Sequence, residues 1–198
     1  MAVKTFRPGS RPEWRNWLLE NHRSESSVWL IYAKVNSGIP SVRYQEAVEE
    51  ALCFGWIDSK VQPVDENSYQ QLFSVRKPSS VWSKVNKEKV TELIRQGLMT
   101  EAGLQSTEVA KKNGSWTILD DAERLILPAA LQAAFEENPA AARYFHSLSR
   151  TTKRNVLQWI ALAKRPETIQ KRIRETLRTT SKGTVPKQFK APDAALRD

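Results

Sequence analysis

Strand patterns in this 198-residue chain stop before residue 80, and helix patterns take over from there. A chain whose strands and helices are segregated in this way folds as α+β, not as an alternating parallel α/β sheet. Val28 to Val35, VWLIYAKV, is β-branched and aromatic-rich and predicts a strand. Trp56 to Val64 and Ser68 to Val75 predict two more, paired as a hairpin around Asp65-Glu66-Asn67. Ser10 before Arg11-Pro12 is an N-cap with proline in the first turn, and Trp14, Trp17, Leu18 and His22 then share one helical face. Tyr44 to Phe54 predicts a second helix with Ala47, Val48, Ala51 and Leu52 inward, ended by Gly55. The expected sheet is small, antiparallel or mixed, of about three strands with packed helices.

After Lys77-Pro78-Ser79-Ser80, Asn86 can cap a helix reaching Gln96, and another helix runs from Thr100 to Asn113. Trp116 to Ile126, marked by Asp120, Asp121 and Glu123, reads as a connection. Beyond it, Pro128 and the pair Asn138-Pro139 each open a helix. Val156, Trp159, Ile160 and Ala163 recur at helical spacing as one buried stripe. Pro166 opens the last helix, with Ile169, Ile173 and Leu177 inward and Gly183 at its end. The expected organisation is an α+β N-terminal domain over 1–118, an all-helical C-terminal domain over 119–183 and a flexible tail over 184–198.

The residue inventory narrows the chemistry. One cysteine excludes an internal disulfide, and two histidines with one cysteine are too few for a typical zinc site. Seven glycines leave little material for a phosphate-cradling loop, and no cofactor is expected. A catalytic cysteine needs a base, which only His22 or His146 can supply, so Cys53 reads as buried and structural and both histidines as packed. No apolar run is long enough for a signal peptide or a membrane span. A lone buried thiol suits a reducing compartment, so a cytoplasmic location is expected.

The segment Tyr44-Gln45-Glu46-Ala47-Val48-Glu49-Glu50-Ala51-Leu52-Cys53-Phe54-Gly55-Trp56-Ile57-Asp58-Ser59 resembles the signature of the YdeI/OmpD-associated family, also called bacteriocin-protection proteins. The resemblance continues through Ser80-Val81-Trp82-Ser83-Lys84-Val85-Asn86 and Gly97 to Gly103, then through Trp159-Ile160, Ala163-Lys164, Glu167-Thr168 and Lys171-Arg172-Ile173. It departs from the family pattern at Phe73-Ser74-Val75-Arg76, in place of aromatic-Thr-Pro-Arg, and at Glu167-Thr168-Ile169, in place of Glu-Thr-Arg. The resemblance implies a helical C-terminal domain and a role in bacteriocin protection, envelope stress or antimicrobial-peptide resistance. It implies no particular reaction and no catalytic residue.

Two sets of residues carry candidate chemistry. The hairpin brings Trp56 and Asp58 near Arg76, and with Lys77, Trp82, Lys84 and Asn86 they can form a pocket for a small anionic or polar ligand. The same residues also fit a purely structural arrangement, with Trp56 and Trp82 in the core and Asp58 paired to Arg76. From Arg150 onward there are thirteen Lys or Arg against four Asp or Glu, which accounts for the whole net charge of +9. Lys153, Arg154, Lys164, Arg165, Lys171, Arg172, Arg174 and Arg178 can supply phosphate contacts to a nucleic acid, or simply form a solvated face. Three classes follow in order: a non-catalytic binding or stress-protection protein, a nucleic-acid-associated protein, and an enzyme on a small polar substrate. The enzyme ranks last because no motif supplies a nucleophile together with its base.

Overall fold

The computed structural model describes residues 3–190 and divides into two compact units, Met1–Trp116 and Thr117–Asp198. The first unit is α+β. Its strands are β1 (Thr5–Phe6), β2 (Ser27–Ala33), β3 (Trp56–Pro63) and β4 (Ser68–Val75), in the spatial order β1-β2-β4-β3. The β2–β4 and β3–β4 pairs are antiparallel and β1 runs parallel to β2, so the sheet is mixed. Its helices are α1 (Arg11–Asn21), α2 (Tyr44–Cys53), α3 (Lys84–Arg95) and α4 (Glu101–Lys112).

Local chemistry explains most of these elements. The Ser10 hydroxyl accepts the Glu13 amide and Pro12 sits in the first turn, which starts α1. Strand β2 alternates strictly, burying Val28, Leu30 and Tyr32 on one face. Trp14 is wholly buried, stacks on Phe6 and Trp17, meets Phe73 edge-on, and donates its indole N–H to the Ala47 carbonyl at 3.1 Å. Trp56 and Trp82 are equally buried, so three of the seven tryptophans fill the core of this unit.

A buried carboxylate joins the helices. Glu50 on α2 is 2% exposed and accepts from Arg11 Nε and Arg15 Nη1, each at 2.6 Å. Its neighbour Glu49 pairs with Arg11 at 3.1 Å and with Lys89 of α3 at 2.6 Å. Arg15 also donates to the Leu98 carbonyl at 3.0 Å. Burial opposes charge on Arg11 and Arg15, but the hydrogen bonds and charge of Glu50 outweigh it and hold both guanidinium groups above their ordinary pKa.

The second unit is helical across its described residues: α5 (Asp120–Glu123), α6 (Ala129–Glu136), α7 (Pro139–Ser147), α8 (Arg150–Ala161) and α9 (Pro166–Thr180). Leu131, Phe135, Ala141, Phe145, Val156, Leu157, Ile160 and Ile173 form its core. Asn138 and Ser149 cap α7 and α8 through side-chain oxygens. Among the described residues, no helix is long and apolar enough to cross a membrane.

The structure corrects the sequence reading at several points. A fourth strand, β1, joins the sheet although two residues carry no alternation to read. The cap of α3 is Ser83, whose hydroxyl accepts the Asn86 amide, so Asn86 lies inside the helix. Asp120 to Glu123 is not plain connection but a short helix, as acids at a helix N-terminus favour. Residues 184–190 are not frayed, because Val185 is buried and Phe189 meets Trp159 edge-on. The rest of the expected tail, 191–198, lies outside the described residues.

Candidate ligand-binding site

A cavity of about 420 Å³ opens in the first unit where α2 turns into β3. Phe54, Gly55 and Trp56 form one wall, and Val75, Arg76 and Pro78 from the end of β4 form another. Helix α4 contributes Ala102, Ser106 and Val109, and His22 and Arg23 enter from the end of α1. Glycine makes this geometry possible. Gly55 has φ +72°, a left-handed turn in which a side chain would be strained and would also press on the Ala102 carbonyl at 3.0 Å. Across from it, the Thr100 amide and hydroxyl both donate to the Cys53 carbonyl, at 3.1 and 2.7 Å, which pins the start of α4 to the end of α2.

Arg76 is the buried charge of this cavity. It is 7% exposed, its guanidinium lies 3.7 Å over the ring of Trp82, and Nη1 donates to the Val81 carbonyl at 3.0 Å. Its Nε and Nη2 are buried without an acceptor among the described residues, as are the indole nitrogens of Trp56 and Trp82. Burial pushes the Arg76 pKa down to about 10, against the pull of the Asp58 charge. Arg76 therefore stays charged at neutral pH, with no ion-pair partner among the described residues. The other charged residues of the cavity, Arg23 and Glu101, are exposed. His22 is half-buried; its Nδ1 lies 2.8 Å from the Leu18 carbonyl and so donates there, leaving Nε2 as the free ring nitrogen.

Of the residues expected to form a pocket, the fold gathers Trp56, Arg76 and Trp82. Asp58 is not the ion-pair partner of Arg76: it accepts from Tyr44 Oη at 3.1 Å and Gln71 Nε2 at 2.7 Å, and does not line the cavity. Trp56 and Asp58 share a strand face, but no local pattern marks Gln71 and Tyr44 as competitors for the carboxylate. Lys77 is exposed, Lys84 lies 3.7 Å from Glu88 on the next helical turn, and Asn86 is taken up in the capped turn of α3; none of the three lines the cavity. His22, read from the sequence as a packed histidine, also lines the cavity, as do Arg23, Glu101 and Gln105, which carry no sequence signal because their approach depends on how α1 and α4 pack.

The basic residues of the second unit separate into two groups. Arg172 donates to the Trp159 carbonyl and stacks 5.0 Å over its ring, Lys153 donates to the His146 carbonyl at 3.1 Å, and Arg154 lies 3.9 Å from Glu123. These three brace the helical core. Lys164, Arg165, Lys171, Arg174 and Arg178 are exposed at the start and along one side of α9. His146 packs near Phe135 and Phe145.

Cys53 is wholly buried and is not on the cavity wall. Burial pushes its thiol up to about 11, with the Glu50 charge adding to the rise and Arg15 opposing it. At pH 8 about one thiol in a thousand is then ionised, against roughly a quarter for a free cysteine. Ellman's reagent is expected to label the native protein at least about a hundredfold more slowly than the urea-unfolded chain. Rapid native labelling at pH 8 would contradict this burial.

Comparison with curated proteins and with solved structures gives no match. Residues 124–183 match the family model described as Bacteriocin-protection, YdeI or OmpD-Associated (OmdA), the family whose resemblance was read from the sequence; of the strings that carry that resemblance, those from Trp159 to Ile173 fall inside the match and those from Tyr44 to Gly103 fall outside it. Residues 6–106, which include most of the cavity, match the model of a domain of unknown function, DUF8412. Because that match spans just over half of the 198 residues, the chain belongs to the DUF8412 family; the stretch similar to OmdA follows that domain.

Proposed function

We propose that the first unit is a non-catalytic binding module for a small anionic ligand, with Arg76 as the anchoring cation. The observation that carries this reading is a nine-tenths-buried arginine on the cavity wall whose guanidinium has two donors without acceptors among the described residues. Burying a charge without a counter-ion costs several kcal/mol in general, about the scale that a bound anion can return. The cavity also has the size and mixed lining typical of small-molecule sites. The bacteriocin-protection description of the OmdA model supports extending this to a protective or stress-related role, exercised through binding.

The test is a thermal-shift screen of the full chain against organic and inorganic anions, repeated on Arg76→Met. A ligand at about 100 times its Kd stabilises the folded form by about 2.7 kcal/mol. The wild type is expected to show such a shift with at least one anion. Arg76→Met is expected to stay folded, since it removes a charge that burial disfavours, and to lose the shift. No response to any anion, or equal responses in both proteins, would refute the reading.

A second reading rests on the exposed cations of α9. Lys164, Arg165, Lys171, Arg174 and Arg178 present a basic side that fits a polyanion such as nucleic acid. If all five contact phosphates of duplex DNA, affinity should fall roughly 500-fold between 50 and 200 mM salt. Fluorescence anisotropy across a salt series measures this, and a flat salt response or no binding at low salt would remove the reading.

A further inference from the structure

Resting on the anion-binding reading, we infer that the ligand is a monocarboxylate on an apolar body, its carboxylate held by the Nε–Nη2 edge of Arg76 and its body against Val75, Pro78 and Val109. The orientation of the guanidinium selects the head group. Contact with the Trp82 ring at 3.7 Å holds the guanidinium in place, and the bond to the Val81 carbonyl occupies Nη1. The donors left over, Nε and Nη2, lie side by side along one edge. That edge presents two parallel N–H groups, which match the two oxygens of a planar carboxylate. Both atoms are buried, so the ligand reaches them with a small side-chain adjustment of the kind that commonly accompanies binding.

Charge balance points the same way. Among the lining residues Arg76 is the buried cation, while Arg23 is exposed and its charge is screened by water. One carboxylate neutralises one guanidinium. A phosphate monoester carries about −1.5 to −2 at pH 7, more than one buried guanidinium balances. The rest of the wall decides the body of the ligand. Val75 and Pro78 are exposed and Val109 half-buried, and together they offer apolar surface, which favours a hydrophobic group over a sugar or a polyol.

Isothermal titration of the full chain with 2-naphthoate, 2-naphthyl phosphate and 2-naphthamide tests the inference, with Arg76→Met and Arg76→Lys as variants. The naphthoate is expected to bind at least about tenfold more tightly than the other two, a gap of about 1.4 kcal/mol. Arg76→Met should abolish that preference. Arg76→Lys keeps a charge but lacks the paired donors, and should lose most of it. Tighter binding of the phosphate would overturn the carboxylate inference and leave the anion reading standing. Equal binding of the amide and the naphthoate would overturn both. Should none of the three bind while another anion gives an Arg76-dependent thermal shift, the apolar body is wrong and the anion site remains. Arg76→Lys binding naphthoate as the wild type does would refute the role of the paired donor edge. Circular dichroism of each variant confirms that it is folded.

Discussion

Glu50→Ala is expected to lower the unfolding free energy of the first unit by about 3 kcal/mol, among the largest single-residue effects in the chain. Glu50 is 2% exposed and accepts from both Arg11 and Arg15 at 2.6 Å. Removing it leaves two guanidinium groups packed against α2 without their main partner. Their side chains are 32% and 28% exposed, so water recovers part of the loss, and the expected cost lies at the low end for a broken buried ion pair. Six of the seven tryptophans lie before residue 117, so tryptophan fluorescence in a urea titration reads this unit. Glu50→Gln retains the shape and an acceptor, and should fall between wild type and the alanine variant. An unchanged midpoint for Glu50→Ala would show that the cluster contributes nothing net.

Gly103→Ala is expected to destabilise the same unit by about 3 kcal/mol, although glycine-to-alanine changes inside helices normally stabilise by roughly 0.5–1 kcal/mol. The opposite sign is the diagnostic. A Cβ at Gly103 would lie 2.2 Å from the Cys53 carbonyl oxygen and 2.7 Å from its carbon. Backbone cannot rotate out of the way as a side chain can, so α4 must move off the end of α2. That movement stretches the two hydrogen bonds from Thr100 to the same carbonyl. It also displaces Ala102 and Ser106, which line the cavity, so any ligand that stabilises the wild type should bind the variant more weakly. A raised urea midpoint would mean that helix propensity outweighs the contact and that α4 has room to yield.

The hairpin β3–β4, strand β2 and the helices α1 and α2 were legible because each writes its own signal. Strict alternation marks β2, and a serine with proline in the first turn marks α1. The exposed side of α9 was legible in the same way, since Lys171, Arg174 and Arg178 oppose Ile169, Ile173 and Leu177 on a regular helix. Strand β1 was not, because two residues have no period and pair with β2 only once the fold brings them together. The cap of α3 was misplaced by three residues because serine and asparagine both cap well, and only the hydrogen bond from Asn86 to Ser83 decides between them.

The cavity divides along the same line. Sequence alone determined that Trp56 and Arg76 lie side by side at the open end of one hairpin, because strand pairing follows from local pattern and turn chemistry. It also determined the α+β class, because strand and helix periods occupy different stretches of the chain. Tertiary structure alone decided that Asp58 turns to Tyr44 and Gln71, that Arg76 is buried on Trp82 with one donor edge unpaired, and that α1 and α4 close the remaining walls. Periodicity records which face of an element is apolar. Whether a buried charge keeps a partner depends on competition among side chains that are remote in sequence, and only packing sets that competition.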